Sequence, residues 1–106
     1  MGSAVASAPV TGTFTGTGAS AAFGAPKGNF NALLDFDNDS GVGTVDIEKS
    51  FDSGSTWNTI SKNSNGDDAT YSVTFNGTIN EPEQGVEYRF NCTAYTSGTI
   101  NYRLSR

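Results

Sequence analysis

The chain has 106 residues, a formal net charge of −5 and one cysteine, so it can form one domain that buries a core without disulfides. Its acidic balance and the absence of any basic run exclude binding to nucleic-acid phosphates, which requires clustered lysine or arginine. Because no apolar stretch approaches the roughly 18 to 20 residues that cross a bilayer, we also expect no membrane partner.

The first segment differs in composition from the rest of the chain. Residues 1–9 lack the charged and apolar regions of a secretory signal, and their alanine and serine content predicts a flexible N-terminal arm. Residues 10–106 are assigned to one β-sandwich domain. In residues 10–17 every threonine lies on one face and Val10 and Phe14 lie on the other, which predicts a strand with a solvated outer face.

A second strand is predicted over residues 30–36, where apolar side chains alternate with mostly polar ones. It ends in an acidic loop, residues 35–41, with Asp35, Asp37 and Asp39 at alternate positions. Hard oxygen ligands at this spacing can converge on Ca²⁺, but the glycine spacing departs from that of an EF-hand. A solvated acidic loop is the favoured interpretation, with a calcium site as the weaker hypothesis, and we expect no cofactor.

The next segment carries the most specific local motif. Residues 50–57 read S-F-D-S-G-S-T-W, the S/T-x-D-x-G-x-T-W pattern called an Asp-box. Asp52 can accept backbone N–H hydrogen bonds, Gly54 can adopt a positive φ, and Trp57 can fold back over the turn. The motif predicts a β-hairpin with a return strand over residues 57–62. Phe51 is grouped with the apolar residues of the preceding strand.

The C-terminal half continues the alternation of a strand protein. Tyr71, Val73 and Phe75 predict one strand, and the segments 86–94 and 100–104 predict a hairpin that turns at residues 96–98. Cys92 lies on the apolar face, so we expect a buried free thiol. The fold class is therefore all-β, a single β-sandwich of jelly-roll or immunoglobulin-like type with about seven or eight antiparallel strands.

Catalytic residues are sparse in this sequence. The chain has no histidine, which excludes Ser-His-Asp and Cys-His nucleophiles. The pairs Glu81 with Glu83 and Asp35 with Asp37 could serve a glycosidase, and Asp-boxes recur in sugar-acting proteins. These carboxylates lie in polar connections, where we expect them to be solvated, so the protein is predicted not to be an enzyme.

The aromatic residues are predicted to be mostly internal, which leaves little for a carbohydrate-binding platform. Only Tyr95 falls on the polar face of its strand. The aromatic residues in register with aliphatic neighbours are Tyr71, Phe75, Tyr88, Phe90 and Tyr102.

Three blocks of the sequence, at residues 12–18, 43–57 and 81–105, resemble a family of small tailed-bacteriophage proteins. The family pattern has an opening G-T-F-T-G-T-G strand, a G-T-V-x-x-E-x-S-F-D-x-G-x-T-W segment and an E-P-E-x-G-V-x-Y-R-x-x-C-T-A-Y-T-S-G-T-x-N-Y-R-L-S ending. The chain departs from the pattern in the middle, at residues 35–40 and 63–68. The resemblance implies a structural component of the phage particle, made in the host bacterial cytoplasm and located in the virion.

The small sandwich suits a head decoration or cement protein that binds the capsid lattice, where repetition multiplies weak contacts. The expected partners are the major capsid protein or other virion proteins, in a homo-oligomer or a multivalent array. Arg89, Tyr95 and Arg103 are the predicted contact residues. A tail- or fibre-associated adhesion module, with glycans as ligands, is the main alternative, followed by a tail-tip or connector component and a glycosidase-related fragment.

Overall fold

The computed structural model describes residues 8–106, which form ten strands and no helix. None of these residues belongs to a helix long and apolar enough to cross a membrane. The predicted arm, residues 1–9, lies outside the described part except for its last two residues. The strands are β1 (Val10–Phe14), β2 (Gly18–Ala19), β3 (Phe23–Gly24), β4 (Gly28–Asp35), β5 (Val42–Ser50), β6 (Asn58–Thr59), β7 (Thr70–Tyr71), β8 (Phe75–Glu81), β9 (Glu87–Ser97) and β10 (Ile100–Ser105).

The strands form two antiparallel sheets that pack as a sandwich, so the predicted all-β sandwich is confirmed. One sheet has four strands in the order β1-β10-β4-β8. The other has six strands along the order β2-β9-β5-β6, with β3 also paired to β9 and β7 to β5. Four of the ten strands have only two residues, which is why the sequence pattern indicated fewer strands.

The core lies between the sheets and is built by the period-two pattern of the longest strands. In β4 the residues Phe30, Ala32 and Leu34 point inward and are buried, and in β5 Val45 and Ile47 do so. Aromatic rings connect the layers, and the remaining large buried residues are Phe14, Phe23, Phe36, Val86, Tyr88, Phe90, Ile100 and Leu104. Cys92 is a buried free thiol, as predicted, and burial raises its pKa.

The prediction that the two C-terminal strands pair with each other as a hairpin is wrong. The chain does turn between β9 and β10, but β9 pairs with β5 in the six-stranded sheet and β10 pairs with β1 and β4 in the other. The connection is therefore an arch between the sheets. It lets the apolar faces of both strands meet across the core, where the rings of Phe90 and Tyr102 have centroids 5.7 Å apart.

The strand predicted through Tyr71, Val73 and Phe75 is interrupted. Tyr71 ends β7 and Phe75 begins β8, so the two residues belong to different sheets. Their rings stack at 4.6 Å, and both are half-buried, whereas Val73 lies in the connection and is 69% exposed. The alternation thus continues across a chain crossing between the layers, which the sequence pattern cannot distinguish from one continuous strand.

Candidate functional site

The Asp-box turn, residues 50–57, is held by side chains at the end of β5. The Ser50 hydroxyl donates to Asp52 Oδ1 at 2.7 Å and accepts the Gly54 N–H at 2.9 Å. Asp52 Oδ1 also accepts the Thr56 N–H at 2.8 Å. The hydrogen bond from the Ser50 hydroxyl, followed by that from the Thr56 N–H, lowers the pKa of Asp52.

The rest of the motif completes the turn in the way the sequence indicates. Gly54 adopts a φ of 92°, and the indole N–H of Trp57 donates to the Gly54 carbonyl at 3.0 Å. The chain then returns beside β5, with Lys49 opposite Asn58 and Glu48 opposite Thr59. The return strand has two residues rather than the six predicted. Beyond it, the Ile60 N–H still donates to the Ile47 carbonyl of β5 at 2.9 Å.

Phe51 is the exposed large hydrophobic residue of this turn. The sequence pattern groups it with the buried residues of β5, but that strand ends at Ser50, and 60% of Phe51 is exposed. The Lys49 ammonium lies 5.0 Å from the centre of its ring. A large aromatic side chain is thus presented to solvent from a turn whose backbone is fixed by hydrogen bonds.

Arg89, a predicted contact residue, lies on the outer face of the six-stranded sheet near this turn. Its Nε donates to Glu48 Oε1 at 2.7 Å, and its guanidinium carbon lies 4.3 Å from the ring centre of Trp57. Asn91 Nδ2 donates to the other oxygen of Glu48 at 3.1 Å. Arg89 is therefore engaged by a carboxylate and an aromatic ring, and it links the Asp-box turn to β9.

The structure does not bring the three predicted contact residues onto one surface. Arg89 and Tyr95 lie on β9, whereas Arg103 lies on β10 in the other sheet. Arg103 is exposed, and its Nε donates to Ser105 Oγ at 3.1 Å.

Tyr95 is half-buried against the core rather than exposed, and its hydroxyl donates to the Gly98 carbonyl at 2.6 Å. The cause is the register shift between Thr44 and Val45 of the facing strand, where β9 has one extra residue, Thr93. This irregularity changes which residues point inward. Ala94, which the alternation places inside, is exposed as a result.

The acidic loop is folded on its own side chains. Asp35 Oδ1 accepts the N–H groups of Asp37 and Asn38 at 3.0 and 3.1 Å, and the Asn38 backbone bond is the main cause that lowers the pKa of Asp35. Asp39 accepts a hydrogen bond from Asn101 Nδ2 at 2.7 Å. Within residues 8–106 no three acidic or cysteine side chains are grouped so as to hold a metal ion, so Asp35, Asp37 and Asp39 do not form a converging ligand set.

Glu81 was expected to be solvated, and the structure buries it with 2% exposure at the end of β8. Its carboxylate accepts the Tyr88 hydroxyl at 2.7 Å, the Glu83 N–H at 3.0 Å and the Lys49 ammonium at 3.3 Å. Burial opposes ionisation of Glu81, but these donors outweigh it and lower its pKa. Burial and the adjacent carboxylate raise the pKa of Tyr88. Glu81 lies two positions after Ile79, so the alternation of β8 places both side chains on the inner face. This spacing was the sequence signal for burial of Glu81.

An inter-sheet groove runs between β8 and the segment that follows the Asp-box turn. It consists of two adjoining cavities of about 320 and 430 Å³. The residues common to both cavities are Ile60, Ser61, Ile79 and Asn80. Tyr71 lines the groove, but its ring contacts Phe75 at 4.6 Å and the Lys62 ammonium at 5.6 Å. The Phe75 ring therefore covers one face of Tyr71, which leaves less of the ring for a stacked sugar.

Comparison with protein-family models, with curated proteins and with solved structures finds no match to this chain. The geometry of the described residues gives two candidate binding surfaces with distinct chemistry. One is the Asp-box turn with exposed Phe51, and the other is the inter-sheet groove beside β8.

Proposed function

We propose that this chain is a non-enzymatic structural protein of a tailed-bacteriophage particle, and that it decorates the head by binding the capsid lattice. The sequence blocks at residues 12–18, 43–57 and 81–105 carry the resemblance to such proteins. The sandwich fold is compatible with the role but does not select it, because one fold serves many functions. In this proposal the partner is the major capsid protein and the location is the virion.

The observation that carries a binding role is the exposure of Phe51. Side chains hold the Asp-box turn that presents it, through Ser50, Asp52 and Trp57. An aromatic residue on a fixed turn loses little conformational entropy on binding, and such residues dominate the energetics of protein interfaces. Phe51 is therefore the expected anchor in an apolar pocket of the capsid protein, in place of the dispersed set Arg89, Tyr95 and Arg103.

A structural role also agrees with the state of the carboxylates. The buried carboxylate of Glu81 is occupied by three donors, from Tyr88, Glu83 and Lys49. The half-buried Asp35 accepts hydrogen bonds from its own loop. A general acid or base must reach a substrate proton, and these two groups are instead committed to holding connections in place.

The first test is the copy number of the chain in purified particles, measured by quantitative mass spectrometry against the major capsid protein. Hundreds of copies in simple ratio to that protein are expected. A handful of copies would move the chain to the tail, as the adhesion-module or connector alternatives require. Absence from particles would overturn the proposal.

The second test uses particles stripped of the chain and rebound with purified variants. Phe51→Ala is expected to weaken binding about 30-fold, since a central aromatic anchor contributes on the order of 2 kcal/mol. Val73→Ala is the matched control, because Val73 is also an exposed apolar residue, at 69%, and lies outside the Asp-box turn. Equal binding by the wild type and Phe51→Ala would exclude Phe51 as the anchor.

A further inference from the structure

The four-stranded sheet ends at β8, which pairs with β4 on one side and has no strand on its other side in the described residues. The pairing with β4 runs without a register shift from Glu81 opposite Gly28 to Phe75 opposite Leu34. In antiparallel strands alternate residues direct their backbone N–H and C=O groups to opposite sides. The outer side of β8 therefore presents a regular row of backbone donors and acceptors, which we call the β8 edge.

The other sheet edges within residues 8–106 are shorter or broken. The opposite edge of the same sheet, β1, has five residues, whereas β8 has seven. The six-stranded sheet has two-residue strands at both margins, β2 and β3 on one and β6 and β7 on the other. Proteins block unwanted pairing at free edges with short strands, lysine, proline or bulges. The β8 edge has none of these, and its one inward-pointing charge, Glu81, lies at the end of the strand and is paired with Lys49.

The charge distribution favours pairing of β8 with itself. The chain has a net charge of −5, so most of its surfaces repel a second copy at low salt. On β8 the only charged residue is Glu81, whose carboxylate is buried beside Lys49. The outward side chains are Asn76, Thr78 and Asn80, all exposed and uncharged. A second copy can approach here without bringing like charges together.

We propose that β8 pairs antiparallel with β8 of a second copy of this chain, about a two-fold axis at Thr78, and joins the two four-stranded sheets into one. Thr78 is the middle residue of Phe75–Glu81. This register places Thr78 opposite its own equivalent and Asn76 opposite Asn80, which are neutral pairs that can form hydrogen bonds. Gly77 lies opposite Ile79 on the inner face, so the larger side chain faces the smaller residue.

The groove beside β8 supports the same arrangement. Its half-buried apolar residues Ile60, Tyr71, Phe75 and Ile79 pack against the core and line the cavities along the edge. A strand added to β8 extends the sheet over this opening and shields these side chains from water. The pairing therefore combines backbone hydrogen bonds with apolar burial, as expected of a two-fold interface in which both copies use the same surface.

The mass of the purified chain in solution tests the pairing. Sedimentation is expected to show a dimer that dissociates on dilution. In Thr78→Lys two ammonium groups meet at the axis, so the mass should fall by half at a concentration where the wild type is a dimer. Thr11→Lys is the control, because Thr11 is an exposed threonine on β1, the opposite edge of the same sheet. It should remain a dimer.

Two results of this experiment would overturn the inference. One is a wild-type chain that stays monomeric at every concentration, and the other is dissociation by Thr11→Lys but not by Thr78→Lys. Circular dichroism of each variant shows whether loss of the dimer is accompanied by unfolding. The inference is independent of the proposed function, because these measurements use the purified chain without any particle.

A cross-linking experiment tests the register even if a lysine variant does not fold. Directly opposite residues in antiparallel strands have Cβ atoms about 4.5 to 5.5 Å apart, so Thr78→Cys should form a disulfide between copies under mild oxidation. Asn76→Cys, on the same exposed face but off the axis, should not. The native Cys92 is buried and remains in both variants. Cross-linking of Asn76→Cys alone, or of neither variant, would contradict the two-fold axis at Thr78.

Discussion

The Asp-box turn and the acidic loop are both connections that follow a strand and are held by their own side chains, but the acidic loop is also joined through its backbone to another turn. The Asp-box turn is held by side chains, with the Ser50 hydroxyl at its centre. The acidic loop also has side-chain hydrogen bonds of its own, from the Asp37 and Asn38 N–H groups to Asp35. In addition it contacts the turn between β9 and β10 through the backbone, where Thr99 N–H donates to the Asp39 carbonyl at 3.1 Å. The first arrangement leaves Phe51 exposed, whereas the second leaves no space around Gly98.

The difference shows how a turn can be rigid and still available for binding. Backbone contact with a neighbouring turn leaves no room beside Gly98, although residues 37–40 stay exposed, so rigidity there depends on a second segment. Side-chain hydrogen bonds from within the turn require no neighbouring segment, so the outward residue stays free. We therefore expect substitutions at the contact between the acidic loop and Gly98 to change stability, and substitution of Phe51 to change binding.

The largest expected effect is that of Gly98→Ala. Gly98 has a φ of 73°, and an added Cβ would overlap the Ser40 carbonyl, so the strained backbone and the overlap together should lower the free energy of unfolding by about 3 kcal/mol. Gly85→Ala is the control, because Gly85 has a φ of 89° and open space around it. It should lose about 1 kcal/mol. Equal losses in urea unfolding would show that packing at Gly98 adds nothing.

The next largest effect is expected on removal of the Tyr88 hydroxyl, and removal of the Tyr95 hydroxyl is the comparison. Tyr88→Phe removes the buried donor to Glu81 and should lower the free energy of unfolding by about 2 kcal/mol, since hydrogen bonds to charged groups contribute more than neutral ones. Tyr95→Phe removes an exposed hydrogen bond to the Gly98 carbonyl and should cost less than about 1 kcal/mol. The reverse order in thermal or urea unfolding would contradict the importance assigned to the Glu81 site.

The ionisation of Glu81 and Tyr88 should also contribute to the pH dependence of stability. The folded-state pKa of Glu81 is lowered, so its contribution is present above the pKa of the unfolded chain and is lost as the pH falls through the folded value. Tyr88 has a raised pKa, so its contribution is present below the ordinary tyrosine value and is lost as the pH rises beyond it. Glu81→Gln should flatten the acid side of a stability profile. An unchanged acid side would assign that dependence to other carboxylates.

A smaller effect is expected inside the Asp-box turn. Ser50 is fully buried, and its hydroxyl links Asp52 and Gly54, so Ser50→Ala should lower the free energy of unfolding by about 1 kcal/mol. Ser55→Ala is the same change at an exposed serine of the turn and should leave it within about 0.5 kcal/mol. Urea unfolding of both variants compares the two positions, and equal values would show that the hydroxyl network does not fix the turn.

The sequence predicts the fold class because alternation marks strands directly, and it predicts the Asp-box hairpin because the motif is local. It does not predict which strands pair. The C-terminal strands look like a hairpin, yet β9 and β10 join different sheets. Tyr95 turns inward because of a register shift between β9 and the facing strand. Phe51 is exposed because β5 ends at Ser50, and the ends of strands are set by tertiary packing.

The smallest expected effect on stability is that of Phe51→Ala, and it is the one that separates the two kinds of turn. Phe51 is 60% exposed, and the Lys49 ammonium lies 5.0 Å from its ring centre, so the substitution should change the free energy of unfolding by less than about 0.5 kcal/mol. The same variant is expected to bind particles about 30-fold more weakly. If Phe51 contributes to binding but not to folding, recognition is the reason for its exposure. If Phe51→Ala instead destabilised the chain as much as Ser50→Ala, the ring would belong to the framework of the turn and the assignment of recognition to this surface would fail.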